Sequence, residues 1–230
     1  MLRYLNVEEN KNVRILPVSA DTKRGAPVVI DYANDEIDAA TAVNGIGLLD
    51  IAPNYNGINS VIAPNDTSFE TIKEDSYGLV VTPRVCEKYA TTELTKGTLQ
   101  KGNYIKASSG KFVTGASGDV CEWIYGGEYS DPTGLTMYSV GRVSPKTVVT
   151  YTVSYNKNNA TATGTTTDTV SPYQNESTVI TLSGGFTYTG YHLLKWNTAA
   201  DGSGTDYEIG DTFIISENAT LYAVWEQDEA

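Results

Sequence analysis

A nucleophilic serine or cysteine needs a base near neutral pH, and His192 is the only imidazole in the chain. It sits in GYHLLKW between Tyr191 and Leu193, a core-forming segment in which a structural or surface histidine is expected. No serine lies in a G-x-S-x-G elbow. Asp35, Glu36 and Asp38 are close enough in sequence to act as an acid pair, but clustered carboxylates in a first helical turn serve the helix dipole instead. The stretch Asp201-Gly202-Ser203-Gly204-Thr205-Asp206 has the look of a calcium loop. It lacks the ligand spacing and closing glutamate of an EF-hand, and a glycine turn needs no ion. The same Gly-Ser-Gly precedes no helix, so it does not form a phosphate cradle. Cys86 and Cys121 are too few for a zinc site or a disulfide framework. They are expected to be buried thiols, with pairing between them left open. No catalytic residue, cofactor or metal is expected, and the chain is not expected to be an enzyme.

The elements that must carry these residues are strands. The chain has 230 residues, 40% of them hydrophobic, with 16 tyrosines against 4 phenylalanines and 21 glycines. That composition supports a real core and favours strands and tight turns. A net charge of −12 argues against nucleic acid as a partner, because phosphate binding needs a basic face. No apolar run is long enough to span a membrane, so no membrane association is expected. The start, MLRYLNVEENKNVRIL, has charged Glu8, Glu9 and Lys11 where a secretory signal needs an apolar region, so no export by that route is expected. Four N-x-S/T sequons, at Asn65, Asn159, Asn175 and Asn218, carry no weight without such a route.

Character changes near SPKTVVTYTVSY. Upstream lie 13 of the 16 basic residues with 18 of the 28 acids, a net of about −5; downstream lie three basic residues with ten acids, about −7. Ser144-Pro145-Lys146 is the expected linker, since proline restrains its predecessor and cannot extend a ladder. Two domains follow, 1–145 and 146–230, both mainly β. In the first, VRILPV, APVVIDYA and IGLLDIA have strand length, and DEIDAATA (35–42) is expected to be a short helix. Pro83 should split YGLVVTPRVCEKYATTEL into two elements or bend an edge strand. GNYIKASSGKFVTG is a hairpin turning at Ser108-Ser109-Gly110. VCEWIYGGEY and LTMYSVGRVS close the domain, joined by Asp131-Pro132-Thr133-Gly134. A compact barrel or sandwich is expected. In the second domain, TVVTYTVSYN, STVITLSG, DTFIISEN and ATLYAVW are strands and ATATGTTTDT an exposed loop. Trp196, Trp225, Tyr191 and Leu221 are the expected structural core.

Residues 148–226 resemble a Listeria–Bacteroides repeat, the module also called the internalin B-repeat. The positions that carry the resemblance begin with the opening TYTVSYN, Phe186, Gly190-Tyr191 and Trp196-Asn197. Asp201-Gly202-Ser203-Gly204, Tyr207, Gly210-Asp211 and the closing LYAVW complete them. The resemblance implies a small grasp-like or Ig-like β fold, an extracellular spacer or binding role, and no catalytic residues. Exposed tyrosines and threonines on it suit weak contact with a host surface or glycan.

Such modules usually follow a signal peptide, and this tension is relieved if the chain is a phage virion protein, made in the cytoplasm and freed by lysis. Residues 1–145 resemble phage head decoration proteins through an irregular amino-terminal arm, a small β-barrel and a glycine-punctuated hairpin. That hairpin motif is Gly97, Leu99, Gly102, Tyr104, Ile105 and Lys106. The resemblance implies attachment to the major capsid protein or another virion protein, display on the outer capsid surface, and assembly as a homotrimer. A tail-tube, head-fibre or baseplate role, or a bacterial cell-surface adhesin fragment, are the alternatives. The arm has two readings. Val13, Ile15 and Leu16 add a strand to a capsid edge, or VRILPV is the first strand of the domain's own barrel.

Overall fold

The computed structural model describes residues 2–6, 12–42, 45–51, 70–130 and 134–229. Every regular element among them is a strand. The chain divides into two compact units, Met1–Val148 and Val149–Ala230.

The first unit opens with β1 (Leu2–Asn6), β2 (Asn12–Pro17), β3 (Thr22–Lys23), β4 (Pro27–Asp31), β5 (Glu36–Ala39), β6 (Gly47–Ile51) and β7 (Thr71–Ile72). It continues with β8 (Tyr77–Thr82), β9 (Lys88–Thr91), β10 (Tyr104–Ser108), β11 (Lys111–Thr114), β12 (Val120–Ser130) and β13 (Thr136–Thr147). One sheet has the order β1-β9-β13-β12-β10-β11, the other β2-β8-β6-β4-β5, and neither closes into a barrel. The arrangement is the sandwich-like form of the expected architecture. Tyr89, Ile105, Phe112, Trp123, Tyr125 and Val140 from the larger sheet meet Ile46, Leu48 and Val81. Leu49 and Val80, the next residues along β6 and β8, belong instead to a second cluster with Val18, Ala26, Val28, Ile37 and Ile72. The smaller sheet is thus buried on both faces, which is why its strands read as continuous apolar runs.

The expected helix over 35–42 is a strand. Ile37 is fully buried and pairs with Ile30, while Glu36 and Asp38 on either side are only partly covered. The acids belong to a period of two, not to a helical first turn. Asp35, at φ 55°, closes the β4–β5 turn, and Asp31 accepts a hydrogen bond from the Ala33 N–H at 2.8 Å. Pro83 does separate two elements, β8 and β9. The β10–β11 hairpin turns on Ser109 and Gly110 at φ 48° and 71°, the paired positive values that suit the twist of a two-residue hairpin. Of the expected 131–134 turn, residues 131–133 lie outside the described residues. Ser144-Pro145-Lys146 is not a linker but part of β13. Lys146 pairs with Cys121 and Arg142 with Trp123, so Pro145 falls at a register shift where a ladder donor is not required.

Both amino-terminal strands are edges. Leu2 pairs with Thr91 at one side of the larger sheet, and Asn12 to Pro17 pair with Thr82 to Tyr77 at one side of the smaller. The segment VRILPV therefore lies in the unit's own sheet, but as the second strand of the chain and in an open sheet, not as the first strand of a barrel. Ile15 is half-buried and Leu16 packs against the second cluster. Val13 is placed opposite Val81 by register.

The second unit begins with β14 (Thr150–Tyr151), β15 (Val153–Asn156), β16 (Thr163–Gly164), β17 (Tyr173–Gln174) and β18 (Thr178–Ile180). It ends with β19 (Phe186–Thr187), β20 (Tyr191–Asn197), β21 (Asp206–Tyr207), β22 (Thr212–Ile214) and β23 (Ala219–Gln227). Its main sheet has the order β15-β23-β20-β21, and its first and last strands, β15 and β23, run parallel from Val153↔Ala219 to Asn156↔Tyr222. Pairing the two ends of the module side by side makes it self-contained. Short ribbons β14–β17, β16–β19 and β18–β22 complete it. Trp196, Val153, Tyr173, Val179, Ile215, Leu221 and Ala223 form its core.

Candidate binding surfaces

Of the four residues expected in the repeat core, Trp196 and Leu221 are fully buried, whereas Trp225 and Tyr191 are half-buried. Trp196 lies edge-on to Tyr155 with ring centres 4.7 Å apart, and its indole N–H donates to the Leu182 carbonyl at 2.8 Å. Tyr191 stacks on Tyr188 at 4.2 Å with planes 4° apart, across the turn made by Thr189 and Gly190. Trp225 meets Tyr188 edge-on at 5.6 Å and donates its indole N–H to the Lys157 carbonyl at 2.8 Å. Together they make an aromatic end to the sheet, part core and part surface, with two phenol groups at hand.

His192 stands on the other face of β20 and is exposed. Its Nδ1 lies 2.9 Å from Asp228 Oδ1 and its Nε2 3.2 Å from Glu226 Oε2. The hydrogen bond to Asp228 is the main cause that raises its pKa above the ordinary value, with the charges of Asp228 and Glu226 adding to it. With both ring nitrogens engaged by carboxylates, and no serine or cysteine beside it in these contacts, the ring acts as a clamp between β20 and the end of β23.

The role of Asn197 was not visible from sequence beyond its place in the Trp-Asn pair. It is fully buried and holds the glycine turn from inside. Its Nδ2 donates to the carbonyls of Gly202 and Gly204, both at 3.2 Å, and to Asp206 Oδ1 at 2.7 Å. Its Oδ1 accepts from the Ala199 and Gly204 N–H groups at 2.7 and 3.1 Å. A Cβ on Gly204 would lie 2.8 Å from that Oδ1 and 2.3 Å from Thr198 Oγ1, so only glycine fits. Asp201 accepts from the Ser203 N–H at 3.0 Å and from its hydroxyl at 2.6 Å. The turn is a self-satisfied side-chain and backbone network, which accounts for its acids without an ion. Among the described residues no group of three or more His, Cys, Asp or Glu is placed to hold a metal.

The loop 160–169 is less exposed than expected. Ala162 is fully buried, β16 pairs with β19, and buried Asp168 accepts from the Tyr173 hydroxyl at 2.8 Å and the Val170 N–H at 2.9 Å. Sequon residues are used structurally: Asn218 Oδ1 accepts from the Thr152 N–H at 2.9 Å, and Asn159 Oδ1 from the Thr161 N–H at 2.8 Å. Asn65 lies outside the described residues.

In the first unit, Asp35 and Glu36 stand apart in a turn and a strand, and Asp38 accepts from the Ser19 hydroxyl. The buried acids are others. Asp50 takes the Arg24 guanidinium at 2.5 Å, and Glu87 accepts from the Tyr89 hydroxyl at 2.9 Å and the Arg84 N–H at 3.0 Å. Asp50, flanked by Leu49 and Ile51, and Glu87, beside Lys88, give no sign of their burial in the sequence. Each carboxylate is satisfied by partners that also fix strand ends. Cys86 and Cys121 are not bonded to each other. Cys121 is buried, which is the main cause pushing its thiol up to about 11, whereas Cys86 is exposed in the β8–β9 turn, contrary to expectation. Of the hairpin motif, Leu99 and Ile105 are core residues and Lys106 pairs with Asp119 at 2.8 Å. No helix among the described residues is long and apolar enough to cross a membrane.

Comparison with known proteins assigns the second unit. Residues 151–224 match the Listeria-Bacteroides repeat domain. Two curated proteins of Evansella cellulosilytica are similar over short stretches. One, named "Putative membrane protein", is 44% identical over 54 residues, 22% of this chain and 8% of that protein. The other, named "Putative Gly-rich membrane protein", is 58% identical over 38 residues, 16% of this chain and 4% of that protein. The chain thus spans less than a tenth of either relative. No solved structure matches.

Proposed function

We propose that this protein is a structural component of a bacteriophage virion, a head decoration protein whose first unit attaches to the capsid and whose repeat faces outward. Support comes from the pairing of a self-contained repeat, residues 151–224, with a separate β unit whose amino-terminal strands β1 and β2 are sheet edges. Edge strands offer backbone donors and acceptors to another chain, and attachment by strand addition uses them directly. In this reading the open backbone edges of β1 and of β2, the latter along Val13, Ile15 and Leu16, contact the major capsid protein. Three copies closing around a capsid axis would cover further edges. The half-buried aromatic end at Tyr188, Tyr191 and Trp225 is the outward face for weak host-surface or glycan contact. The buried acids and the lone histidine are all accounted for by structural partners, which favours a non-enzymatic role.

A second reading, a bacterial cell-envelope protein, is favoured by the names of the two Evansella relatives. Fractionation separates the two. A decoration protein sediments with purified particles at a fixed ratio to the capsid protein, and its gene lies beside capsid or maturation-protease genes. Recovery with the host envelope, with no particle-bound fraction, contradicts the virion reading.

A further inference from the structure

The β18–β22 ribbon breaks the inward-apolar, outward-polar alternation expected of a strand pair with one wet face. Thr178 pairs with Ile214, Val179 with Phe213 and Ile180 with Thr212. The inward set is ordinary: Val179, Ile215, Ser177 and Thr181 are buried, and Phe213 packs on the core. The outward set is Thr178, Ile180, Thr212 and Ile214, all β-branched. Ile180 and Ile214, diagonal neighbours across the ribbon, are 57% and 61% exposed. Ile209, in the turn closing one end of the ribbon, is 43% exposed. A neighbouring group of isoleucines on the wet face of a strand pair is what interaction sites carry, and isolated surface apolar residues are not placed this way.

The frame around this face is acidic. Glu176 donates its N–H to Ile215 at one end, Glu208 and Asp211 bracket the turn at the other, and Glu217 follows Ile215. All four are exposed, and none forms an ion pair among the described residues. From residue 149 onward the chain has two lysines, no arginine and ten acids. Both lysines are engaged elsewhere, Lys157 with the Ala162 carbonyl at 2.5 Å and Lys195 with Asp206 at 2.6 Å. Lys195 feels the charge of Glu208 as well, so the unbalanced part of the frame is Glu176, Glu217 and Asp211.

We propose that the outward face of the β18–β22 ribbon docks a protein segment whose β-branched or other apolar side chains are flanked by Lys or Arg. The apolar centre supplies contact area, and the excess negative charge of the exposed carboxylates around it selects a cationic rim and rejects an anionic one. A second copy of the same face is disfavoured, because face-to-face pairing brings two sets of unbalanced carboxylates together. The site lies on the ribbon, not at the aromatic end, and does not depend on the virion reading.

The test is a titration of the full-length, isotope-labelled chain with the capped peptide Lys-Thr-Val-Thr-Val-Lys, followed by amide shifts. Saturable changes confined to residues 176–181 and 208–215 are expected. Affinity should fall about tenfold in the Ile180→Ser, Ile214→Ser double variant and weaken with added salt. Glu176→Gln with Glu208→Gln should reduce binding while leaving the fold and the isoleucines in place. The control peptide Glu-Thr-Val-Thr-Val-Glu should not bind. Absence of shifts at the ribbon, equal binding of the acidic peptide, or changes centred on Tyr188 and Trp225 overturns the proposal. Concentration-dependent self-association lost on Ile→Ser replacement also overturns it, by making a second copy the occupant.

Discussion

Each unit buries one tryptophan completely, and the two are treated differently by their surroundings. Trp196 in the second unit has its ring against Tyr155 and Phe186 and its N–H bonded to the Leu182 carbonyl. Trp123 in the first unit packs on Phe112 at 5.1 Å and under the Arg142 guanidinium at 5.9 Å, yet among the described residues its N–H has no acceptor. Arg142 gives one nitrogen to Glu122 at 2.6 Å, while its Nε and Nη1 are buried with no hydrogen-bond partner among the described residues. In the repeat, then, the tryptophan both fills and specifies, because its polar handle fixes where residue 182 must lie. In the first unit the tryptophan mainly fills. A buried donor without an acceptor costs roughly 1–3 kcal/mol, so the β12–β13 bulge around Trp123 is held by packing against a polar penalty.

The comparison can be broken most severely at Trp196. Replacing it with alanine should destabilise the second unit by about 3–5 kcal/mol in urea unfolding, as loss of a large buried aromatic does. A loss below about 1 kcal/mol would remove Trp196 from the core. Next comes Asn197→Ala, expected to cost about 2–3 kcal/mol, because it strands the carbonyls and N–H groups that the side chain satisfies. Hydrogen exchange should accelerate first at Ala199 and Gly204, whose N–H groups bond Asn197 Oδ1. If those amides stay as protected as in the parent, the side chain does not hold the turn.

Phenylalanine at the two tryptophans sharpens the contrast. Trp196→Phe loses a hydrogen bond and leaves the Leu182 carbonyl unpaired, whereas Trp123→Phe loses no hydrogen bond among the described residues and deletes a donor unsatisfied by them. The first should cost about 1–2 kcal/mol more than the second, measured each in its own unit. Equal costs would mean that the indole N–H is irrelevant in both.

The smallest effect is at His192. Its pKa lies above the ordinary value of 6.5, so the protonated ring stabilises the folded state. That contribution is complete below the unfolded value and disappears as pH rises through the folded one. His192→Gln should therefore destabilise the second unit at about pH 5 and be neutral at about pH 9. A titration midpoint at or below 6.5 in the folded chain would contradict the clamp formed by Glu226 and Asp228.

The second unit was the more legible in sequence, and the reason is physical. Its turns are set by glycines and its core by a few large residues, so Trp196, Leu221 and the glycine turn stand out singly. What sequence did not show there is partial exposure. Tyr191 and Trp225 look like core residues because aromatic type does not reveal which ring ends a sheet. Ile180 and Ile214 looked like ordinary strand residues because register, which sets their face, depends on partners far along the chain. In the first unit, β5 is hard to recognise because Glu36 and Asp38 resemble helix-starting acids, while the single inward Ile37 gives too short a pattern to reveal a period of two. Pro145 looked like a linker because a register shift in β12, the partner strand, is invisible from β13.

The central claim, attachment by the first unit and display by the repeat, is tested most directly by adding truncated chains to particles stripped of this protein. Residues 1–148 should bind at the same copy number as the full chain, and residues 149–230 alone should not bind. Binding that requires residues 149–230, or that is supported by them alone, would contradict the account.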